Sequence, residues 1–210
     1  MEETRPNEFF PICEDKRGSY LFNSKDLCML EHISELVEAG ITSFKIEGRA
    51  KTAYYCAIVT NAYRVAIDAY FKGEPLPEWV RREVDCVSHR PYCTGFYMGE
   101  ENLQSCDSSE YIRDCDFVAV VDGWDNGTLE VTQRNYFTAD DYLEVVSPGK
   151  PPQRLVISEM YNSNNEMITV ANHAVEKLRI KCDTVFSAGS VVRRVNEGGG
   201  VSGSAAEQSA

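Results

Sequence analysis

The stretch best suited to chemistry is Ser43-Phe44-Lys45-Ile46-Glu47-Gly48-Arg49, where strand alternation puts Phe44 and Ile46 on one face and Lys45 and Glu47 on the other. If the apolar pair meets helices in a barrel, the opposite face is the interior, where a Lys and a Glu are too costly to bury unless paired or used. At the C-terminal end of a barrel strand such a pair reads as an active-site element; the alternative is a structural salt bridge. Gly48 removes bulk as the chain turns, and Arg49 and Lys51 then offer donors to an anionic ligand near the next helix start.

Cys28 is expected in the first turn of a helix, where free amides and the helix dipole would lower its pKa and favour a thiolate, as metal ligand or nucleophile. His32 follows one turn later, but a Cys–His dyad also needs a third, orienting group, so ligand is the better reading. Ser88-His89-Arg90-Pro91-Tyr92-Cys93-Thr94-Gly95-Phe96-Tyr97 gathers His, Arg and aromatic side chains around a Gly hinge, as a docking or site-completing loop would. The plainer alternative is that Tyr92, Phe96 and Tyr97 pin a connector to a core.

These residues need elements to position them. Ser19–Phe22 reads as a strand, Asn23 or Ser24 as a cap, and Leu27, Leu30, Ile33, Leu36 and Val37 as the apolar stripe of a helix that stops at Gly40. Thr42–Glu47 reads as a second strand and Thr52–Phe71 as a second helix. Two strand–helix units call for a parallel sheet larger than these strands supply, so residues 1–75 read as the last part of a TIM-type barrel. Residues 76–115 form a connector and docking segment, with Trp79–Cys86 short and charged. From Asp116 the period becomes two: Phe117–Val121, Thr128–Thr132, Tyr142–Val146, Arg154–Glu159, Met167–Val170, Leu178–Cys182 and Ser190–Arg194 are candidate strands of a small β-barrel over 116–195. Asp125-Asn126-Gly127 is the strongest hairpin signal, and 196–210 reads as a disordered tail. The fold class is therefore α/β plus β.

The chain has 210 residues, 43% hydrophobic, and a formal net charge of -12, which excludes disorder of the bulk and a broad basic nucleic-acid platform. No apolar run approaches the ~20 residues of a membrane span, and Met1-Glu2-Glu3 is acidic where a signal peptide is basic, so no membrane association and a cytoplasmic location are expected. The eight cysteines are scattered without C-x-x-C or zinc-finger spacing, so most read as buried thiols.

Arg17-Gly18, Asn23 to Cys28, Phe44 to Arg49 and Ser88 to Phe96 together resemble the collagenase-like peptidases, peptidase family U32, over roughly residues 3–195. Bacterial members of that family act in tRNA and rRNA hydroxylation. The resemblance implies a modified TIM-type barrel followed by a translation-factor-like β-barrel. It implies oxygen-independent, prephenate-dependent 5-hydroxylation of the wobble uridine of tRNA, with tRNA or another RNA as partner. It also implies a [4Fe-4S] cluster to which Cys28 contributes one of four cysteine ligands. The other three are expected upstream or on a partner polypeptide, so the chain reads as the C-terminal half of a family member, inactive alone. On the matched positions, Lys45, Glu47 and Arg49 are the expected catalytic residues and Lys51, His89, Arg90 and Tyr92 the expected substrate contacts. Two alternatives stand beside this: a collagenase-like peptidase, for which the chain lacks H-E-x-x-H and G-x-S-x-G, and a non-catalytic RNA-binding module.

Overall fold

A computed structural model describes residues 13–15, 18–20, 24–99 and 111–196. A short hairpin, β1 (Cys13–Asp15) with β2 (Gly18–Tyr20), precedes β3 (Asp26–Leu27), a 3-10 turn (Leu30–His32) and α1 (Ile33–Glu38). Then come α2 (Ala53–Lys72), α3 (Glu78–Asp85) and β4 (Tyr92–Cys93), which pairs with β3 in parallel. From 197 onward the expected tail lies outside the described residues, as do Leu21–Asn23 at the end of the first expected strand and its cap.

Local chemistry sets the long helix. Thr52 Oγ1 accepts the Tyr55 N–H at 3.2 Å, Gly73 ends the helix at φ +71°, and the Glu74 N–H closes the last turn on the Ala69 carbonyl. Its buried side, with Ala62 and Ala66, packs on Leu30, Ile33, Val80 and Val84. The first helix starts later than its apolar spacing predicts. Asp26 and Leu27 are extended, because the Asp26 N–H is bound by the Pro91 carbonyl and the Cys28 N–H by the Cys93 carbonyl; Leu27 is exposed rather than in the stripe.

The second expected strand is corrected as well. Residues 41–48 are extended and alternate in burial, with Phe44 and Ile46 half-buried toward the helices, but form no ladder among the described residues. The two-residue β3–β4 pair is the parallel pairing among the described residues, which do not form a TIM-type barrel. The charged segment 78–85 folds as α3, since Val80 and Val84 one turn apart both reach the α2 core.

The rest is antiparallel. A curled seven-stranded sheet runs β10 (Met160–Tyr161), β12 (Lys177–Lys181), β6 (Thr128–Gln133), β5 (Cys115–Asp125), β13 (Val191–Val195), β8 (Leu143–Val146), β9 (Gln153–Leu155). A second pair, β7 (Phe137–Thr138) with β11 (Val170–Ala171), joins it around one core that includes Leu129, Val131, Leu143, Met160 and Leu178. It is a half-barrel: no ladder among the described residues joins its edges β9 and β10. Asn126-Gly127 forms the β5–β6 turn with both residues at positive φ, as its sequence predicts.

The two parts are docked. Tyr54, Ile58, Val59 and Val87 pack against Val146 and Val191, and the Tyr54 ring stacks on Phe117 with centroids 5.4 Å apart. Beneath them Arg193, fully buried, binds Glu83 of α3 at 2.7 and 3.1 Å and Glu144 of β8 at 2.8 Å, while Arg82 takes the other Glu144 oxygen at 2.9 Å.

Candidate functional site

A cleft of about 350 Å³ opens where β3, β4, the 3-10 turn and α3 meet. Cys28, His32, Tyr92, Cys93, Asp85 and Arg81 are among its lining residues. The β3–β4 pairing brings Cys28 to the cleft, and the Tyr63 hydroxyl of α2 points at its sulfur from 3.9 Å while accepting the Met29 N–H at 2.8 Å. Burial pushes the Cys28 thiol up, against the opposing pull of the Leu30 N–H and Tyr63. That corrects the expected low-pKa thiolate: Cys28 sits before the helical turn, not within it.

His89 is buried behind this wall, its ring stacked on Tyr92 at 4.1 Å. Its Nδ1 lies 2.7 Å from the Arg90 carbonyl, which can only accept, so Nδ1 carries a proton. Nε2 has no hydrogen-bond partner, and Asp85 Oδ1 is 4.0 Å away. Tyr92 donates its hydroxyl to the Val84 carbonyl at 2.7 Å, tying β4 to α3.

Lys51 and Arg90 converge on Asp26, which the expected helix would have carried in its first turn. Arg90 gives Asp26 its backbone N–H at 3.1 Å and guanidinium contacts at 3.0 and 2.8 Å, and Lys51 Nζ lies 3.6 Å away. Burial would raise the Asp26 carboxyl, but the Arg90 hydrogen bonds and the Lys51 charge together hold it below the usual range. Lys51 also lies 5.0 Å from the Tyr55 and Tyr111 ring centres.

The expected catalytic residues sit elsewhere. Lys45 and Glu47 form a 3.8 Å pair with side chains 83% and 62% exposed, and the Arg49 N–H binds Glu47 Oε1 at 2.9 Å. None of the three lines the cleft. Their strand face is the one predicted, but the described residues build no barrel interior for it to enter, so it meets solvent. Of the candidates, the structure brings Cys28 and Tyr92 together with His89 behind, and Lys51 with Arg90 around Asp26. Among the described residues Phe96 and Tyr97 are exposed rather than packed into a core.

Residues 1–107 match Peptidase family U32 and residues 113–193 match the Peptidase family U32 C-terminal domain. The chain belongs to peptidase family U32. It is similar to tRNA hydroxylation protein P of Haemophilus influenzae, 35% identical over 175 residues, covering 81% of this chain and 38% of that protein. It is also similar to a collagenase of Porphyromonas gingivalis, 33% identical over 90 residues, or 41% of this chain and 25% of that protein. The C-terminal domain of a Geobacillus thermoleovorans U32 peptidase aligns with 39% of the chain and 93% of its own length at 24% identity and a TM-score of 0.36. The chain spans about two fifths of the length of the tRNA hydroxylation proteins it matches first.

An iron–sulfur cluster would need four thiolates or equivalent ligands. Among the described residues no three His, Cys, Asp or Glu side chains gather to hold a metal, so Cys28 and its surroundings do not by themselves fit the cluster. Among the described residues no helix is long and apolar enough to cross a membrane.

Proposed function

We propose that this chain is the C-terminal portion of a tRNA hydroxylation protein that forms 5-hydroxyuridine at the wobble position, without oxygen and with prephenate as co-substrate. The observation that carries the reading is the similarity to tRNA hydroxylation protein P, which runs through both parts of the chain. In this reading Cys28 is one of four ligands of an iron–sulfur cluster completed by other thiolates of the intact protein. Tyr92 and His89 shape the cleft beside it, Lys45, Glu47 and Arg49 meet the remainder of the barrel, and Lys51 and Arg90 hold β3 and β4 in place through Asp26. A peptidase reading fits less well. A thiol pushed up by burial is a poor nucleophile, and His32 spends Nδ1 on Glu35 at 3.1 Å rather than on the Cys28 sulfur.

The test is nucleoside mass spectrometry of tRNA from cells lacking uridine hydroxylation and carrying the intact gene. Hydroxylated uridine is expected, with its loss in Cys28→Ala together with protein-bound iron. Unmodified uridine with an iron-replete protein would overturn the reading, and gelatin cleavage abolished by one substitution would install the peptidase instead.

A further inference from the structure

We infer that two facing loops at one end of the half-barrel, residues 134–136 and 172–177, form a binding surface for single-stranded RNA; the inference rests on the tRNA reading above. The β6–β12 ladder ends at Thr132 opposite Lys177, and the β7–β11 pair starts at Phe137 opposite Ala171, so the loops between are pinned from both sides. The Val175 N–H binds the Gln133 carbonyl at 3.0 Å and the Gln133 N–H the Glu176 carbonyl at 2.9 Å. Arg134, Tyr136, His173, Val175 and Lys177 are all exposed on this laced frame.

Charge contributes to the patch. In a chain of net charge -12, Arg193, Arg194 and Lys181 of this half are ion-paired, whereas Arg134 and Lys177, like Lys150, Arg154 and Arg179, have no ion pair among the described residues. Of the latter three, Arg154 lies over the Tyr142 ring and Arg179 binds Asn165. Asp122 accepts the Thr132 hydroxyl at 2.6 Å and Glu176 the Ser163 hydroxyl at 2.9 Å, and neither is ion-paired with Arg134 or Lys177. Strain marks the same place. Val175 holds φ +68°, where a β-branched residue is an outlier, yet its side chain is 65% exposed and so repays nothing by burial. Glycine would fit that turn better, and the exposed apolar side chain that stands there instead is free to contact a ligand.

Two cations without ion pairs suit phosphates, and the exposed Tyr136 and His173 rings on the same two loops as Val175 suit unstacked bases, a combination that favours single strands over duplex. The test is anisotropy titration of the full chain with fluorescent oligouridylate, an RNA duplex of equal phosphate count, and a polyglutamate peptide. Oligouridylate is expected to bind best. Losing two phosphate contacts in Arg134→Ala/Lys177→Ala should cut the salt slope by roughly 1.4. Tyr136→Ala should weaken binding about tenfold. Val175→Gly should raise the melting temperature while weakening binding, a split that a structural role would not give, and Lys72→Ala should change nothing. Binding that survives the double variant unchanged overturns the patch and leaves the tRNA reading intact. No RNA binding by the unaltered chain also overturns the patch, the tRNA reading being judged separately by the nucleoside assay. Peptide binding lost in the same variants overturns RNA as the occupant.

Discussion

Asp26 does at residue scale what no single expected site residue does: it holds β3, β4 and the start of α2 together through Arg90 and Lys51. Its carboxyl is held below the usual range, so its contribution is present above the unfolded pKa of about 3.9 and is lost as pH falls through the folded value. Asp26→Asn should therefore cost about 1–3 kcal/mol at neutral pH, with wild type losing more stability than the variant on acidification. Urea titrations at neutral and acid pH check this; equal acid losses would contradict it. Cys28 teaches the complementary lesson. The cap at Asn23 or Ser24 and the stripe from Leu27 to Val37 put it in a helical first turn, but the competing hydrogen bond to Cys93 keeps it extended, and burial rather than a dipole governs its thiol.

Among the elements, the extended segment 41–48 and α2 meet at Gly48, where a Cβ would lie 2.6 Å from Cys56 Sγ. Gly48→Ala should destabilise by about 1–3 kcal/mol by overpacking, and adding Cys56→Ala should recover most of it. Urea midpoints of the single and double variants measure this, and a neutral single variant would show that the segment moves freely. The sequence does not mark α3 as a helix because its fully buried apolar residues are Val80 and Val84 alone, with Trp79 half-buried beside them, while the buried Glu83 is an acidic residue that reads as solvent-facing until Arg193 is in view.

That buried charge set decides the arrangement of the whole molecule. Arg193 enters the interface at a β-bulge after Val192, and its guanidinium, held charged by Glu83 although burial opposes it, is shared between α3 and β8. Arg193→Met leaves two buried carboxylates with only Arg82 near, and should cost about 3–5 kcal/mol. Hydrogen exchange should then rise in α3 and β13 together, since the interface loosens as one unit; faster exchange in β13 alone would mean that docking relies on the apolar contacts of Tyr54 and Val191 instead.

The sequence by itself determined what depends on neighbours along the chain: the Thr52–Phe71 run of α2, the Asn126-Gly127 hairpin, the longer strands near Phe117–Val121, Thr128–Thr132, Tyr142–Val146, Leu178–Cys182 and Ser190–Arg194, the face on which Lys45 and Glu47 lie, and the family; the expected strands Arg154–Glu159 and Met167–Val170 shrink to Gln153–Leu155 and Val170–Ala171. Only the tertiary structure decided which partner each polar group takes. Asp26 suits the first turn of a helix until Arg90, 64 residues away, claims it; Glu83 is a surface acid until Arg193 comes, 110 residues on. Backbone propensities act over a few residues and are written locally. The pairing of buried charges is a long-range electrostatic choice, made only once the chain has brought those residues to one place.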